Sequence, residues 1–399
     1  MAARRVLLLS PLPGLDPPNG DVTYTQHLLD EPPKGVEYIT YDQALADGSL
    51  IELYRRANAR LGLAGTGAFA REFAVNRLRR TSLMFSEPFR HFRVQERCFD
   101  VIHSHVFSIG LGETTTPLVV SNSVPIDALY LNGFGESPAR VRVQRWLDRR
   151  LAASTGVSHS SFGQAGAVRV ICFSAHLRDY FVRNGGDPRR YVVVPPSVQT
   201  TSRHSIRPLG RPPTLGFIGQ FEAKGGQTVL DAYRMLRRQG LELSLTIVGS
   251  EPRLSAPELQ DLDITWLPRL PRQVLLADII PSFTVFAYPS LFDGLPLTLL
   301  EVMAAGVPTV VSDYGALPEV VDFGSAGRVV GRGDAVGLAS YVKELLDSAT
   351  AETVGRAGRK RVLEHYSPEA NRENLGHVYA DAVGIQRPIP LSRRAHSRR

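Results

Sequence analysis

The chain has 399 residues, of which 43% are hydrophobic, and it carries a formal net charge of +7 at pH 7. That length predicts two domains, and no apolar run approaches the roughly 20 residues that a membrane-spanning helix requires. The apolar run at 6–9 is too short for the hydrophobic region of a secretory signal. The two cysteines, Cys98 and Cys172, lie far apart and favour free thiols in a reducing compartment. A globular cytoplasmic protein is therefore predicted, with no nucleic-acid partner because no binding motif accompanies the basic residues.

Short apolar segments alternate with helical patterns through both halves of the chain, which is typical of parallel sheets covered by helices. The strands predicted in the first half are 5–9, 36–41, 100–104, 118–121, 168–173 and 191–194. A Pro- and Gly-rich stretch at 197–213 predicts a linker. The strands predicted in the second half are 214–219, 243–248, 264–267, 283–288, 307–311 and 328–330. Helical patterns follow Asp334, with a last helix around 371–383.

The segment 289–301 carries two carboxylates, Asp293 and Glu301, eight positions apart. They flank a Gly-Leu-Pro turn that follows a predicted strand and opens an apolar helix at 297–305. Ligands bind at the carboxyl edge of open α/β sheets, and free N–H groups at a helix start suit a phosphate. The segment therefore predicts a site for a phosphorylated, hydroxyl-rich ligand.

A second glycine-rich turn, 219–226, also follows a strand and precedes a helix. Its glycines let the backbone approach a ligand, and Lys224 supplies a mobile cation suited to a diphosphate. The chain has only four lysines, so a lysine at this position is less easily accidental. The alternative for this turn alone is an ordinary glycine loop with a solvated lysine.

The order and spacing of these parts resemble the retaining nucleotide-sugar glycosyltransferases of family 4 (glycosyl transferases group 1), which have the GT-B fold. The resemblance covers nearly the whole chain. Its motifs are Pro18-Asn19-Gly20, Asp100-Val101-Ile102-His103-Ser104-His105, the segments 170–174, 193–198 and 216–219, Lys224-Gly225, and the segments 247–249, 287–290 and 289–308.

The resemblance implies an α/β fold in which two Rossmann-like parallel-sheet domains face a cleft and a C-terminal helix crosses back to the first domain. The expected parts are an acceptor domain at 1–200, a nucleotide-sugar donor domain at 201–366, the returning helix at 367–385 and a disordered basic tail at 386–399. The implied activity moves a sugar from a nucleoside-diphosphate sugar to an acceptor hydroxyl, without a cofactor or metal. The acceptor is a glycan, a lipid-linked molecule or a small molecule.

The resemblance also implies roles for individual residues. Glu301 would accept hydrogen bonds from ribose hydroxyls, Asp293 would lie near the hydroxyls of the donor sugar, and Lys224 would neutralise the diphosphate. His105 would face the reacting sugar across the cleft, so that the catalytic set is His105, Asp293 and Lys224. The remaining expected donor contacts are Gly20, Gly219, Gln220, Gly225, Gly294, Leu295, Pro296 and Leu297. The alternatives are a surface acid on a helix for Glu301 and an ordinary strand-end histidine for His105.

Two residues depart from the family pattern. The family usually has glutamate at the position of Asp293 and arginine at the position of Gln220. A neutral amide cannot offset the charge of a leaving group as a guanidinium does. Either Lys224 carries more of that charge, or another arginine such as Arg269 or Arg272 approaches the diphosphate, and the sequence leaves both open. The two departures also leave open a catalytically silent nucleotide-sugar-binding partner of another transferase, or a GT-B sugar-nucleotide epimerase.

Three further segments have competing interpretations. The Asp261-Leu262-Asp263 pattern is interpreted as a surface turn rather than a metal site. Glu319 either belongs to a ligand loop of the family or is an acid at a helix start. The basic segment 69–80 is either an amphipathic helix in peripheral contact with an anionic membrane or an ordinary packed helix.

Overall fold

The computed structural model describes residues 3–10, 20–52, 90–95, 97–105, 109–111, 114–124, 137–143, 167–199, 212–249 and 262–385. Several predictions concern segments outside these residues. They are Pro18-Asn19 of the first glycine loop, the basic segment 69–80, most of the linker, Asp261 and the tail 386–399.

The first half of the chain forms an α/β unit. Its strands are β1 (Arg4–Leu9), β2 (Val36–Thr40), β3 (Leu50–Glu52), β4 (Arg90–Val94), β5 (Val101–His105), β6 (Ile109–Leu111), β7 (Leu118–Asn122), β8 (Ala167–Cys172) and β9 (Tyr191–Val193). Its helices are α1 (Gly20–Asp30), α2 (Tyr41–Ala46) and α3 (Ala175–Arg183), followed by a 3-10 turn, Pro188–Arg190. Six strands pair in parallel in the order β2-β1-β5-β7-β8-β9, and all six were predicted to within two residues.

A small second sheet in this half was not predicted. Its order is β3-β4-β6, with β3 antiparallel to β4 and β4 parallel to β6. Two of these strands have only three residues and the third reads Arg-His-Phe-Arg-Val, so neither length nor β-propensity marks them in the sequence.

The second half forms another parallel sheet. Its strands are β10 (Thr214–Ile218), β11 (Ser244–Val248), β12 (Ile264–Leu267), β13 (Val285–Tyr288), β14 (Thr309–Ser312) and β15 (Arg328–Val330), in the order β12-β11-β10-β13-β14-β15. All six were predicted. β14 begins at Thr309 rather than at the expected position 307, since Pro308 has no N–H to donate to a neighbouring strand.

The helices of the second half cover this sheet, except for the last one, which packs against the first sheet. They are α4 (Gly226–Arg238), a helical segment in three parts (Arg272–Val274, Leu275–Ile279 and Ile280–Ser282), α5 (Leu297–Ala304), α6 (Leu317–Val320), α7 (Ala335–Glu344), α8 (Ser348–His365) and α9 (Pro368–Gly384). α5 is buried because its residues are apolar on every side, and Leu299, Leu300, Val302 and Met303 have no exposed surface.

The last helix, α9, packs against β5, β7 and β8 of the first sheet. Polar contacts join it to the first half: among them, Asn371 Nδ2 donates to Pro195 O at 2.6 Å, Arg169 Nε donates to Asp381 at 2.6 Å, and the hydroxyls of Tyr38 and Tyr379 lie 2.9 Å apart. The fold is therefore the expected two-sheet GT-B arrangement, in which the C-terminal helix crosses back to the first sheet.

Both cysteines lie within the described residues, and both are free thiols, as the sequence predicted. Among the helices of the described segments, none is long and apolar enough to cross a membrane.

Candidate functional site

The order of the second sheet explains why the two ligand-like loops meet. β10 and β13 are neighbours although α4, β11, β12 and the three-part helical segment separate them in the chain, so connections leave this pair in opposite directions. The carboxyl ends of such a pair border a crevice. The glycine loop 219–226 follows β10 and the carboxylate segment follows β13, and Leu291 N donates to Ala223 O at 3.1 Å between the two loops.

Glycine is required where the two loops cross. Gly225 has a φ of +77°, which L side chains rarely adopt. A Cβ at Gly225 would also lie 2.1 Å from the carbonyl oxygen of Pro289. The loops can therefore touch only with a glycine at position 225, which gives this predicted site residue a packing reason.

Lys224 and Asp293, two of the predicted catalytic residues, form an ion pair with 2.6 Å between Nζ and Oδ2. Tyr288 Oη donates to the same carboxylate oxygen at 2.5 Å, and Gly294 N donates to Oδ1 at 2.9 Å. Burial and the Asp293 charge raise the pKa of Tyr288 well above its ordinary value, so its hydroxyl stays protonated as a donor. Asp293 is thus held by three donors, and Lys224 Nζ also donates to Phe292 O at 3.2 Å.

Tyr288 is a site residue that the sequence did not identify as one. The sequence predicts it only as the last residue of a strand. Its position at the carboxyl end of β13, directly before Pro289, is the signal that could have pointed to it.

Glu301 is paired with Arg272 rather than exposed on a helix surface. Arg272 Nε donates to Glu301 Oε1 at 2.6 Å, and Glu301 is only 5% exposed. Burial raises the pKa of Glu301, and the nearby guanidinium opposes that rise. The alternative of an ordinary surface acid does not fit this burial.

Arg272 also reaches the first half of the chain. Its Nη1 lies 2.7 Å from His27 Nε2 on α1, and His27 Nδ1 lies 2.9 Å from the carbonyl oxygen of Ser197. A carbonyl only accepts, so Nδ1 carries the proton and Nε2 accepts from the guanidinium. Burial, together with Arg272, lowers the pKa of His27 to about 4 and keeps this ring neutral. Arg272 therefore joins Glu301 to α1, whereas the sequence indicates it only as a candidate for the diphosphate.

Gln220, the second departure from the family pattern, is exposed at the start of the glycine loop. Its carbonyl oxygen accepts from Lys224 N at 2.9 Å, which closes the turn. Its neighbour Gly219 has a φ of +147°, and a Cβ there would lie 2.8 Å from Lys224 Cγ. The loop thus presents Lys224 next to Asp293.

The start of α5 provides free backbone N–H groups beside this pair. Leu295 and Pro296 are buried, Pro296 is the N-cap residue, and no side chain caps the helix among the described residues. Leu297 begins the helix, so the first-turn N–H groups are available to an anion.

The two halves of the molecule touch at the carboxylate segment. A Cβ at Gly294 would lie 2.2 Å from the carbonyl oxygen of Ser123, which directly follows β7. Glu319 makes a second contact, because its carboxylate accepts from Ala175 N and His176 N at the start of α3, each at 2.9 Å. Glu319 is therefore an anion at the N-terminus of a helix in the other half.

The first half brings His105 and Gly20 to its own sheet edge. His105 ends β5, and Gly20 begins α1, with open space around the position of a Cβ. The His105 ring is fully buried, with Nδ1 2.8 Å from Ser121 Oγ and Nε2 3.4 Å from Asp21 Oδ1. Only the Nε2 edge of this ring is directed toward the start of α1.

Metal coordination has no candidate in the part of the chain that the structure describes. Within those residues, no group of three or more His, Cys, Asp or Glu side chains is arranged to hold a metal ion.

Residues 212–348, which contain both loops, match the family described as Glycosyl transferases group 1. The chain is 27% identical over 207 residues to the colanic acid biosynthesis glycosyltransferase WcaL of Salmonella typhimurium, covering 48% of this chain and 51% of WcaL. It is 28% identical over 244 residues to the alpha-maltose-1-phosphate synthase of Mycobacterium tuberculosis, covering 57% of this chain and 63% of that protein. The chain thus matches between half and two thirds of the length of these relatives.

Two solved structures resemble nearly the whole chain in fold. Sucrose-phosphate synthase from Thermosynechococcus elongatus has a TM-score of 0.62 at 18% identity and covers 96% of this chain and 99% of its own. Anabaena HepE, solved in complex with UDP-glucose, has a TM-score of 0.59 at 14% identity and covers 94% of this chain and 99% of its own. The second half of the chain therefore matches the glycosyl transferases group 1 family over residues 212–348, and the chain has the GT-B fold.

Proposed function

We propose that this protein is a retaining glycosyltransferase of family 4, which moves a sugar from a nucleoside-diphosphate sugar to an acceptor hydroxyl. The observation that carries the proposal is the Lys224–Asp293 pair, at 2.6 Å, where the two loops of the second sheet meet. A cation, a carboxylate and the uncapped start of α5 converge there, which suits a diphosphate joined to a sugar. The names of the curated relatives support the same class of reaction.

The donor would bind mainly in the second half. Glu301 would accept from the ribose hydroxyls, with Arg272 holding its carboxylate in place. Lys224 would leave Asp293 for the diphosphate, and the N–H groups from Gly294 to Leu297 would bind phosphate or sugar oxygens. Anabaena HepE was solved with UDP-glucose bound, and a donor of that kind suits this arrangement.

Asp293 would accept from a hydroxyl of the donor sugar. It is one methylene shorter than the usual glutamate, and Tyr288 and Gly294 N fix its carboxylate from the protein side. The sugar must therefore come closer to the strand end than in relatives that have glutamate. The first half would contribute the Gly20 loop over the diphosphate and His105 opposite the sugar.

Catalysis would come from position and electrostatics. Closure of the two halves aligns the acceptor hydroxyl with the anomeric carbon, and donors around the diphosphate stabilise the charge that develops as the glycosidic bond breaks. We propose no resident cofactor and no metal in this reaction. The acceptor would be a glycan, a lipid-linked molecule or a small molecule in the cytoplasm, with peripheral contact to an anionic membrane if it is lipid-linked.

A panel of nucleotide sugars, incubated with the protein and an acceptor mixture, tests this proposal by mass spectrometry. We expect one donor to release its nucleoside diphosphate and to yield a glycosylated product at the same rate with and without EDTA. Proton NMR of that product should show the anomeric configuration of the donor retained. Donor binding without turnover by folded protein would contradict the proposal in favour of a silent binding partner, and an epimerised donor would contradict it in favour of an epimerase.

A further inference from the structure

A continuous chain of buried polar groups runs from α9 to the end of β5. Tyr379 Oη lies 2.7 Å from His103 Nδ1, and His103 Nε2 lies 2.9 Å from Ser121 Oγ. Ser121 Oγ in turn lies 2.8 Å from His105 Nδ1. None of these four side chains has more than 1% exposure, so each contact is made without competing water. At the α9 end of this series of contacts, the Tyr38 hydroxyl is hydrogen-bonded to that of Tyr379.

The proton positions along this chain follow from its inner end. His105 Nε2 faces the Asp21 carboxylate at 3.4 Å. A carboxylate only accepts, so a bare Nε2 lone pair would be repelled there and the proton belongs on Nε2. His105 Nδ1 is then an acceptor, and Ser121 must donate to it.

The other proton positions follow from that choice, and the Tyr24 hydroxyl, which also faces Ser121, can donate to the same oxygen. Ser121 has one proton, and because that proton points to His105, its oxygen must accept from His103 Nε2. His103 Nδ1 is therefore bare and accepts from the Tyr379 hydroxyl. Burial lowers the pKa of His103 to about 3, which agrees with a neutral ring that has one donor and one acceptor nitrogen.

We propose that Tyr379 of α9, acting through His103 and Ser121, fixes the proton of His105 on Nε2, and so makes His105 a hydrogen-bond donor to an oxygen of the donor sugar. Tyr379, His103 and Ser121 are positioning residues in this proposal. The part about the sugar rests on the proposed function, whereas the tautomer does not.

The Nε2 proton is available to a ligand. In the described part of the chain, Nε2 has no well-aligned hydrogen-bond partner, although the ring is fully buried. Such a donor is costly unless a partner arrives, because an unsatisfied buried donor loses its hydration. The ring is packed between Tyr24 and Phe173, at 4.5 and 5.6 Å between centroids. An incoming hydroxyl oxygen would supply the missing acceptor.

The returning helix gains a chemical role from this arrangement. Tyr379 lies 276 positions after His103 and reaches it only because α9 crosses back to the first sheet. Without the Tyr379 hydroxyl, no group donates a hydrogen bond to His103 Nδ1, so His103 can carry its proton on either nitrogen. Ser121 could then turn its own proton toward His103, and His105 would be free to move its proton to Nδ1.

Nitrogen-15 NMR of the histidine rings in the full-length protein tests the proton positions directly, since ring nitrogens with and without a proton have distinct shifts. In the unaltered protein we expect both His103 and His105 to carry a proton on Nε2 and none on Nδ1. A proton on Nδ1 of either ring would overturn the proposal, and this measurement needs no variant that could fail to fold.

Two matched variants test the link to α9. Y379F removes the hydroxyl that contacts His103. Y38F removes the hydroxyl that contacts Tyr379, which leaves Tyr379 able to donate to His103. We expect Y379F to give a mixture of His105 tautomers and Y38F to keep the single Nε2–H form. S121A, which breaks the chain next to His105, should resemble Y379F. If His105 keeps the same tautomer in folded Y379F or S121A, the proposed control of the His105 proton by Tyr379 and Ser121 is wrong.

Measurements of sugar transfer then distinguish the hydrogen-bond relay from Tyr379 to His105 from the proposed function. With a nucleotide sugar that the protein turns over, Y379F should lower kcat by about fivefold to tenfold, as expected for one hydrogen bond. Y38F should lower it by less than about twofold. If the NMR results are as predicted but no donor is turned over, the relay stands and the transferase proposal fails. Equal kcat values for Y379F and Y38F would overturn the role of the relay in the reaction.

Discussion

The two sides of the cleft use polar side chains in opposite ways. The second half presents ion pairs that solvent partly reaches, with side-chain exposures of 22% and 14% for Lys224 and Asp293 and of 27% and 6% for Arg272 and Glu301. The first half presents two histidines, His103 and His105, with no exposure at all. Charges that must meet an incoming anion have to remain reachable, whereas a buried neutral ring can fix the direction of a hydrogen bond.

His27 lies where these two arrangements meet. It belongs to α1 in the first half, and burial lowers its pKa, as it lowers that of His103. Its partner is nevertheless the guanidinium that pairs with Glu301. The contact links Glu301 of the second half to α1 of the first half through a single guanidinium.

Removing the cation of the donor side should produce the largest effect. Lys224→Met keeps an unbranched chain but leaves the diphosphate without its mobile charge, and we expect kcat to fall by about 100-fold to 1000-fold, as for the loss of one preorganised donor. Asp293 keeps Tyr288 and Gly294 N, so the fold should persist. Lys343→Met, at an exposed lysine, is the matched control. Equal rates for the two variants would contradict the assignment of Lys224.

Neutralising the second acid should weaken binding rather than chemistry. We expect Glu301→Gln to weaken nucleoside-diphosphate affinity by about 10-fold to 100-fold, because it removes charge-assisted hydrogen bonds and leaves Arg272 without its counter-charge. Titration calorimetry measures the affinity. Glu344→Gln alters another arginine pair, Arg328–Glu344, away from the two loops, and should leave it unchanged. Similar affinities for both variants would argue against Glu301 as a donor ligand.

The pH dependence of stability should reveal the neutral histidines. The unfolded chain takes up a proton on His27 near pH 6.5, but the folded protein does so only near pH 4. Between these values the unfolded state binds more protons than the folded state. The contribution of neutral His27 to the free energy of unfolding is therefore complete above about pH 6.5 and is lost as the pH falls toward 4. His103, whose folded pKa is about 3, acts in the same direction.

The His27→Gln variant isolates one part of that dependence. We expect it to reduce the slope of unfolding free energy against pH between about 4.5 and 6 by up to about 1.4 kcal/mol per pH unit, the value for one proton. Urea unfolding at several pH values measures the slope. His365→Gln, at an exposed position on α8, should leave the slope as it is. An unaltered slope in His27→Gln would mean that His27 is already protonated in the folded protein.

The smallest effect is expected where the two halves touch through a helix end. Glu319→Gln removes the anion from the N-terminus of α3 and should lower the free energy of unfolding by about 1 kcal/mol. Thermal unfolding measures it, with Glu373→Gln at an exposed position of α9 as the control. A loss no greater than in the control would show that the contact contributes little.

Local pattern was enough to find the two loops of the donor side. Gly225 and Lys224 follow one predicted strand, Asp293 and Glu301 follow another, and parallel strands bring such loops to one edge. The sequence did not predict that Lys224 and Asp293 would pair with each other. That pairing depends on which strands are neighbours, and the order β10-β13 is a property of the whole sheet.

The contacts that position these residues were beyond the sequence for the same reason. Arg272 and His27 are 245 positions apart, and His103 and Tyr379 are 276 positions apart. No periodicity or turn chemistry relates residues at such separations, because those signals report only on neighbours along the chain. The small sheet of β3, β4 and β6 was missed since its strands are too short and too polar to be recognised locally.

The sequence by itself therefore determined the two parallel sheets, the returning helix and the loops that carry Lys224, Asp293 and Glu301. The sheets and the loops follow from apolar periodicity and turn residues, which act over a few positions, whereas the return of the last helix was implied by the family resemblance. Only the tertiary structure decided the partners of those residues, including Tyr288 for Asp293 and Arg272 for Glu301. It decided them because buried polar groups must find a donor or acceptor wherever the packed chain supplies one.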